Sequence, residues 1–203
     1  MAIKFQYNKT SLGDMDKQLK MRRKALPTIK SKESALRSEV KRAKEQAAEY
    51  QRRLDELVAQ YDYMVELWGE FDNTILSISD IEVVETKIAG VRTPQLDKIL
   101  FDEREYNLFA APVWFSSGVE LLKNIAQLSI ESEIYNTKME LLDHARRKTT
   151  QKVNLYEKVQ IPGYEAAILK IKRFMEDEEN LSKSSQKIVK TRQQMAAQEG
   201  GEL

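Results

Sequence analysis

The chain has 203 residues, with 33 basic and 32 acidic side chains and a single histidine. Ala, Glu, Lys, Leu and Arg supply 91 of the 203 residues while Gly and Pro number only 7 and 4, a composition of long helices and coiled coils rather than of a compact α/β domain. Cys is absent, which excludes disulfides, zinc knuckles and thiol nucleophiles and makes a reducing, cytoplasmic setting the default.

The longest stretch without charge, Tyr106 to Val119, includes Asn107, Pro112 and two serines and is shorter than the about 20 apolar residues that span a bilayer. The opening MAIKFQYNKTS has no apolar signal-peptide core. The expectation is a soluble chain with no membrane span of its own. Near-neutrality conceals segregation: Lys17–Arg53 holds 13 basic and 4 acidic residues, Leu54–Pro112 holds 4 and 13, and Arg146–Arg192 holds 12 and 6. Basic ends and an acidic middle speak of partners and steering rather than of fold.

From Leu12 a three-four alternation selects Leu12, Met15, Leu19, Arg22, Leu26, Ile29, Glu33, Leu36, Val40, Ala43, Ala47, Tyr50, Leu54, Leu57, Tyr61, Met64 and Trp68, of which 15 of 17 are apolar or aromatic. Such a seam predicts a left-handed coiled coil, since a 3.5-residue period keeps one stripe against its partner only if the helices supercoil. At 1.5 Å per residue the helix would be roughly 85 Å long. Pro27 removes one donor and predicts a bend or a helix start near Ala25 to Thr28. The charged seam residues Arg22 and Glu33 either set register and snorkel, the plainer reading, or mark a local opening toward another protein.

Between Asp72 and Ser117 the helical period is lost. Ile81–Lys87 is rich in β-branched residues, Ala89-Gly90 and Thr93-Pro94 punctuate it, and Tyr106–Phe115 is aromatic and apolar. Two short strands around a long loop are expected there, as a hairpin that must lie against the helices or a partner. A second seam follows Gly118, running through Leu121, Ile125, Leu128, Ser132, Tyr135, Met139, Leu142, Arg146, Thr149, Val153, Tyr156 and Gln160. Past Pro162-Gly163 the apolar positions become Tyr164, Ala167, Ile168, Ile171 and Phe174, then Leu181, Ile188 and Met195. The stripe shifts phase across the Pro-Gly pair, as a bending helix allows.

Two connected helices of like period bury their seams most cheaply on each other. The predicted fold is mainly α: a long antiparallel two-helix coiled coil with a short central β-hairpin region. Its parts are an N-terminal helix over 1–71, the hairpin region over 72–117, a C-terminal helix over 118–197 and a disordered tail over 198–203.

Chemistry is sparse. No GxxxxGK[ST] or GxGxxG phosphate loop is present, so nucleotide hydrolysis is not expected of this chain. His144 sits alone in LLDHARRK, and Glu176-Asp177-Glu178-Glu179 points four ways around a helix; both read as solvated faces rather than as a catalytic or metal set. The basic run Lys17 to Lys32 lacks stacking aromatics, so no nucleic-acid partner is expected. The reading is of a protein without catalytic residues, metal or cofactor.

Two segments, KMRRKALPTIKSKESAL and KVNLYEKVQIPGYEAAILKIKRFMEDEE, carry a family resemblance. Leu26-Pro27-x-x-Lys30-x-Lys32-x-x-x-Leu36 and Val153-Asn154-x-x-Glu157-x-x-x-Ile161-Pro162 resemble the D subunit of V-type (A/V-type) ATPases and ATP synthases, in the family's order and at opposite ends of the chain. Gly163 departs from the basic or polar residue associated with its position. The resemblance implies a non-catalytic central-stalk rotor shaft. Its paired terminal helices would enter the ring of catalytic A and B subunits, while its lower part would bind the F subunit of the central stalk and a funnel-shaped subunit on the membrane rotor. The chain would then be cytoplasmic and peripheral to the membrane. Motif position and exposed charge nominate Arg22, Arg23, Lys24, Pro27, Lys30, Lys32, Asn154, Glu157, Ile161 and Pro162 as partner contacts. An F-type gamma subunit needs a larger α/β insertion than the roughly 45 residues here, given about 30 for one βαβ unit. The alternative from another class is a stand-alone coiled-coil scaffold or tether with no ATPase partner.

Overall fold

The computed structural model describes residues 3–72, 74–107 and 111–199, the side chains of 196–199 excepted. Its elements are α1 (Lys9–Gln60), two short 3₁₀ turns (Asp62–Met64 and Leu67–Glu70), β1 (Leu76–Ile88), β2 (Val91–Glu103), α2 (Phe115–Asn154), a π-helical segment (Leu155–Gln160) and α3 (Ile161–Glu199). The fold is mainly α with one small antiparallel hairpin. Of the tail expected over 198–203, residues 200–203 lie outside the described residues.

The predicted seams are the buried faces. All 17 positions from Leu12 to Trp68, and all twelve from Leu121 to Gln160, are buried or half-buried. α1 runs unbroken through Pro27, so no helix starts there; Pro27 is exposed, and water can take the carbonyl left without a donor.

The chain divides into two compact units, Met1–Lys30 with Gln151–Leu203 and Ser31–Thr150. In the first, Arg23 pairs with Glu165 and Lys30 with Glu157; partner numbers fall as those in α1 rise, which fixes an antiparallel pairing. The phase slip foreseen at Pro162 is taken up one turn earlier. The Ile161 N–H donates to the Tyr156 carbonyl, five residues back, and Pro162 then brings no N–H to continue that wider pattern. Gly163 has its own reason. A Cβ there would stand 2.9 Å from Ile3 Cδ1, so the missing side chain seats the N-terminal segment. Farther along, Tyr7 packs on Phe174 with ring centroids 4.8 Å apart.

The second unit is also antiparallel: Thr150 donates to Glu33, Ser132 to Gln51, and Tyr50 stacks on Tyr135 at 5.1 Å. Leu36 and Leu142, both 0% exposed, form its centre with Ala43. The hairpin departs from the sequence expectation. In place of two short strands around a long loop, β1 and β2 have 13 residues each and are joined by Ala89-Gly90 alone. Ala89 at φ 50° and Gly90 at φ 80° make a two-residue turn whose twist matches that of the strands. Thr93-Pro94, which reads as punctuation in the sequence, lies inside β2, because in a two-stranded sheet every strand is an edge and tolerates proline.

The hairpin lies against its helices as expected. Ile88, Ala89 and Val91 pack at its tip on the Leu36, Ala43 and Leu142 cluster, and the buried Thr93 hydrogen-bonds Thr86 across the strands. At its base Lys123 pairs with Glu103. There Phe71, Ile75, Phe115 and Val119 form a second core flanked by Trp68, Tyr106 and Trp114. Gly118 makes room for it, because a Cβ would meet Trp114 at 3.0 Å and Trp68 at 3.4 Å.

Candidate partner-contact surface

Nine of the ten nominated residues lie in the first unit, and most of the charged ones are spent within it. Arg22, a seam position, donates from Nε to Gln160 Oε1 at 2.6 Å and from Nη1 to Gln18, with its guanidinium 4.6 Å from the Tyr164 ring centroid. That arrangement lets a cation occupy a seam: the fork is satisfied by amides and the flat face rests on an aromatic. Arg23 reaches Glu165 at 2.6 Å and Lys30 reaches Glu157 at 2.7 Å. Both pairs are more than 40% exposed, so they fix register more than they stabilise.

Tyr156 and Gln160, four apart on the seam, and Glu157 beside it all serve α1 from the π-helical segment. Tyr156 lies 5.9 Å from the Arg22 guanidinium while Glu157 takes Lys30 and Gln160 takes Arg22. Ile161 is half-buried beside it. Lys24, Pro27, Asn154 and Pro162 are exposed, and among the described residues Lys24 makes no ion pair. The tenth nominee, Lys32, belongs to the second unit, where its Nζ lies 3.4 Å from the position of a Cβ on Gly90 at the hairpin turn.

Glu33, the other charged seam residue, accepts from Arg37 at 2.7 Å and Thr150 at 3.0 Å. The Arg37 hydrogen bond is the main reason its carboxyl lies below the usual range. Arg146 and Arg147 do the same to Asp143, which lines an open groove of about 610 Å³ with Val40, Lys44, Met139, Glu140 and the exposed His144. Of the groove's two carboxylates, Asp143 is already paired with two arginines, and among the described residues no hydrogen bond joins His144 to either Asp143 or Glu140. Among the described residues no three His, Cys, Asp or Glu side chains gather to hold a metal, and no helix is long and apolar enough to cross a membrane.

The sequence marks Tyr164 only as an apolar position, and nothing in it marks Gln18 as a partner of Arg22 or Glu165 as an acceptor. The signal that finds Glu165 is the antiparallel register itself, since nothing local to it marks a partner 142 residues away.

The family model for the ATP synthase D subunit matches residues 11–191, both helices and the hairpin included. The chain belongs to that family. It is 29% identical over 191 residues to the V-type ATP synthase D subunit of Borreliella burgdorferi, covering 93% of this chain and 94% of the relative. With its counterparts from Chlamydia muridarum and Chlamydia pneumoniae it shares 29% and 25% over 182 residues, covering 87% of this chain and 90% and 87% of theirs. Membership makes the chain a subunit of a rotary V-type ATP synthase, and Pro27 and the Ile161-Pro162 step lie inside the matched span.

Proposed function

We propose that this protein is the non-catalytic rotor shaft of its complex, passing torque between the catalytic A and B subunit ring and the membrane ion-translocating rotor. The observation that carries the reading is family membership over residues 11–191 joined to the antiparallel helix pair of each unit. A shaft must resist twist, and in the first unit Arg22, Arg23 and Lys30 each tie α1 to the π-helical segment or α3. α3 continues well past the last buried seam residue, Ile171, as a bare helix, which suits a shaft end held in a socket formed by other chains. The exposed positions Lys24, Pro27, Lys32, Asn154 and Pro162 are the partner contacts this reading favours. Arg22, Arg23, Lys30, Glu157 and Ile161 would shape that surface from within. The F subunit of the central stalk and the funnel-shaped subunit on the membrane rotor would be further partners, placing the chain on the cytoplasmic side as a peripheral component.

The test is co-purification of the tagged chain from its native cells, followed by ATPase assay of what it carries. Large nucleotide-binding subunits should come with it, and their ion-coupled ATPase should fall when α3 is cut after Phe174. Recovery of the chain without an ATPase would replace the shaft reading with that of a stand-alone scaffold or tether.

A further inference from the structure

β1 stands clear of the helices that seat its partner strand. Every residue from Ser77 to Glu85 is exposed, and successive strand side chains point to opposite faces, so neither face of β1 is packed there. Val83 and Val84 are 46% and 49% exposed, Ile78 and Ile81 45% and 38%. β2 is the seated strand: Thr93 is 1% exposed, and Pro94 and Leu96 line a cavity with Tyr50 of α1 and Tyr135 of α2.

The edge that β1 turns outward is unbroken. The two-residue turn makes Ile88 and Val91 a hydrogen-bonded pair, and bonded and non-bonded pairs alternate from it, so Lys87, Glu85 and Val83 aim their N–H and C=O groups away from β2. Two observations agree. Pro94, which has no N–H, stands opposite Glu85, and the next outward donor, the Ile81 N–H, goes to its neighbour Asp80 Oδ1 at 2.8 Å. The register shifts fall at Ser79 and, on β2, at Asp97, so β1 has no inserted residue from Asp80 to Ile88, and no Pro or Gly. Proteins close such edges with proline, bulges or charge; here charge alone remains, and its sign selects the partner. Leu76–Glu103 holds six acidic and three basic residues. Among the described residues Asp80 and Glu82 make no ion pair, and Glu85 makes only a loose one with Arg92 at 3.8 Å. A strand of like sign is repelled, whereas lysines or arginines among β-branched residues match the row. We propose that the β1 edge accepts an extended cationic segment of a partner protein in the native assembly as a third strand. Its apolar side chains lie over Ile81, Val83 and Val84, and its cations face Asp80, Glu82 and Glu85. The pairing rests on the hairpin alone and not on the shaft reading.

The probe is the peptide Thr-Lys-Val-Val-Lys-Val-Lys, which in antiparallel register sets its lysines opposite Glu85, Glu82 and Asp80; its control carries glutamate for lysine. Amide hydrogen exchange is followed in the full chain. Val83, Glu85 and Lys87 should exchange faster than Val84 and Thr86, whose N–H groups are bonded to β2. Saturating lysine peptide should slow those outward amides about tenfold, and the glutamate peptide should leave them unchanged. They should be slow too in the assembly recovered with the tagged chain. Val83→Pro removes an outward donor from an edge that tolerates proline and should abolish the protection while Thr86 stays slow. Glu82→Lys with Glu85→Lys, which leaves the backbone alone, should exchange the preference between the two peptides. Outward amides that stay fast with the lysine peptide or in the recovered assembly overturn the proposal. So do equal binding of the two peptides, which removes the charge selection, and protection that survives Val83→Pro, which places the contact on side chains rather than on the strand edge. The amides are read whether or not an ATPase is recovered, so this outcome and that of the shaft reading are distinguishable.

Discussion

Ile3 occupies the space that a side chain at residue 163 would fill: its Cδ1 lies 2.9 Å from the ideal Cβ position of Gly163. Two effects compete in Gly163→Ala. Alanine gains about 1 kcal/mol of helix propensity but must push aside the end of a half-buried isoleucine. We expect Gly163→Ala to change stability by less than about 1 kcal/mol alone and to be more favourable in an Ile3→Ala background, with a coupling of ~0.5 kcal/mol or more. Denaturant titration of the four chains of the cycle measures this, and strict additivity would remove Ile3 as the reason for the glycine.

Ala89 holds φ 50° in the hairpin turn, where a Cβ costs ~1–2 kcal/mol. Ala89→Gly relieves that strain and gives back part of it as unfolded-chain entropy. A net gain of ~0.5 kcal/mol is expected, read as a raised denaturant midpoint at unchanged slope.

Acid should loosen the second unit. The folded carboxyls of Glu33 and Asp143 are held below their ordinary values by Arg37 and by Arg146 with Arg147. Their contribution is therefore present above the unfolded values near 4 and is lost as pH falls through the lower folded ones. At the other extreme, burial and the nearby Glu131 raise Tyr50 to about 12. Its contribution is complete below about 10 and disappears as pH rises from there toward 12. Thermal melts of the wild type and of a Glu33→Gln, Asp143→Asn chain across pH 3 to 7 should converge at the acid end; curves that stay parallel would remove both groups as the cause.

Pro162→Ala restores a backbone donor just after the π-helical segment. The variant should be more stable as an isolated chain by ~1 kcal/mol or more, and the ordinary helical phase should then compete with the one that aims Glu157 at Lys30 and Gln160 at Arg22. In the assembled complex, rotation-coupled hydrolysis should fall. Normal coupling in the variant would show that the helical phase set at Pro162 plays no part in torque transmission.

The sequence by itself determined the helices and which faces they bury. A 3.5-residue repeat leaves one solution for where apolar area goes, and every seam position from Leu12 to Trp68 and from Leu121 to Gln160 is buried or half-buried. It also yielded the two motifs that point to the family. The hairpin's register was beyond it, because Ala89-Gly90 reads as a turn only when strands as long as Leu76–Ile88 and Val91–Glu103 are already paired. So was the fate of the nominated charges: Arg23 and Glu165, or Lys30 and Glu157, stand more than 120 residues apart, and only the antiparallel register brings them within an ion-pair distance. The glycine at 163 was opaque for the same reason, since the atom that forbids a side chain there belongs to Ile3. Local periodicity is written in neighbours three and four residues away; register, close approach and the partners of charges are decided by residues distant in the chain.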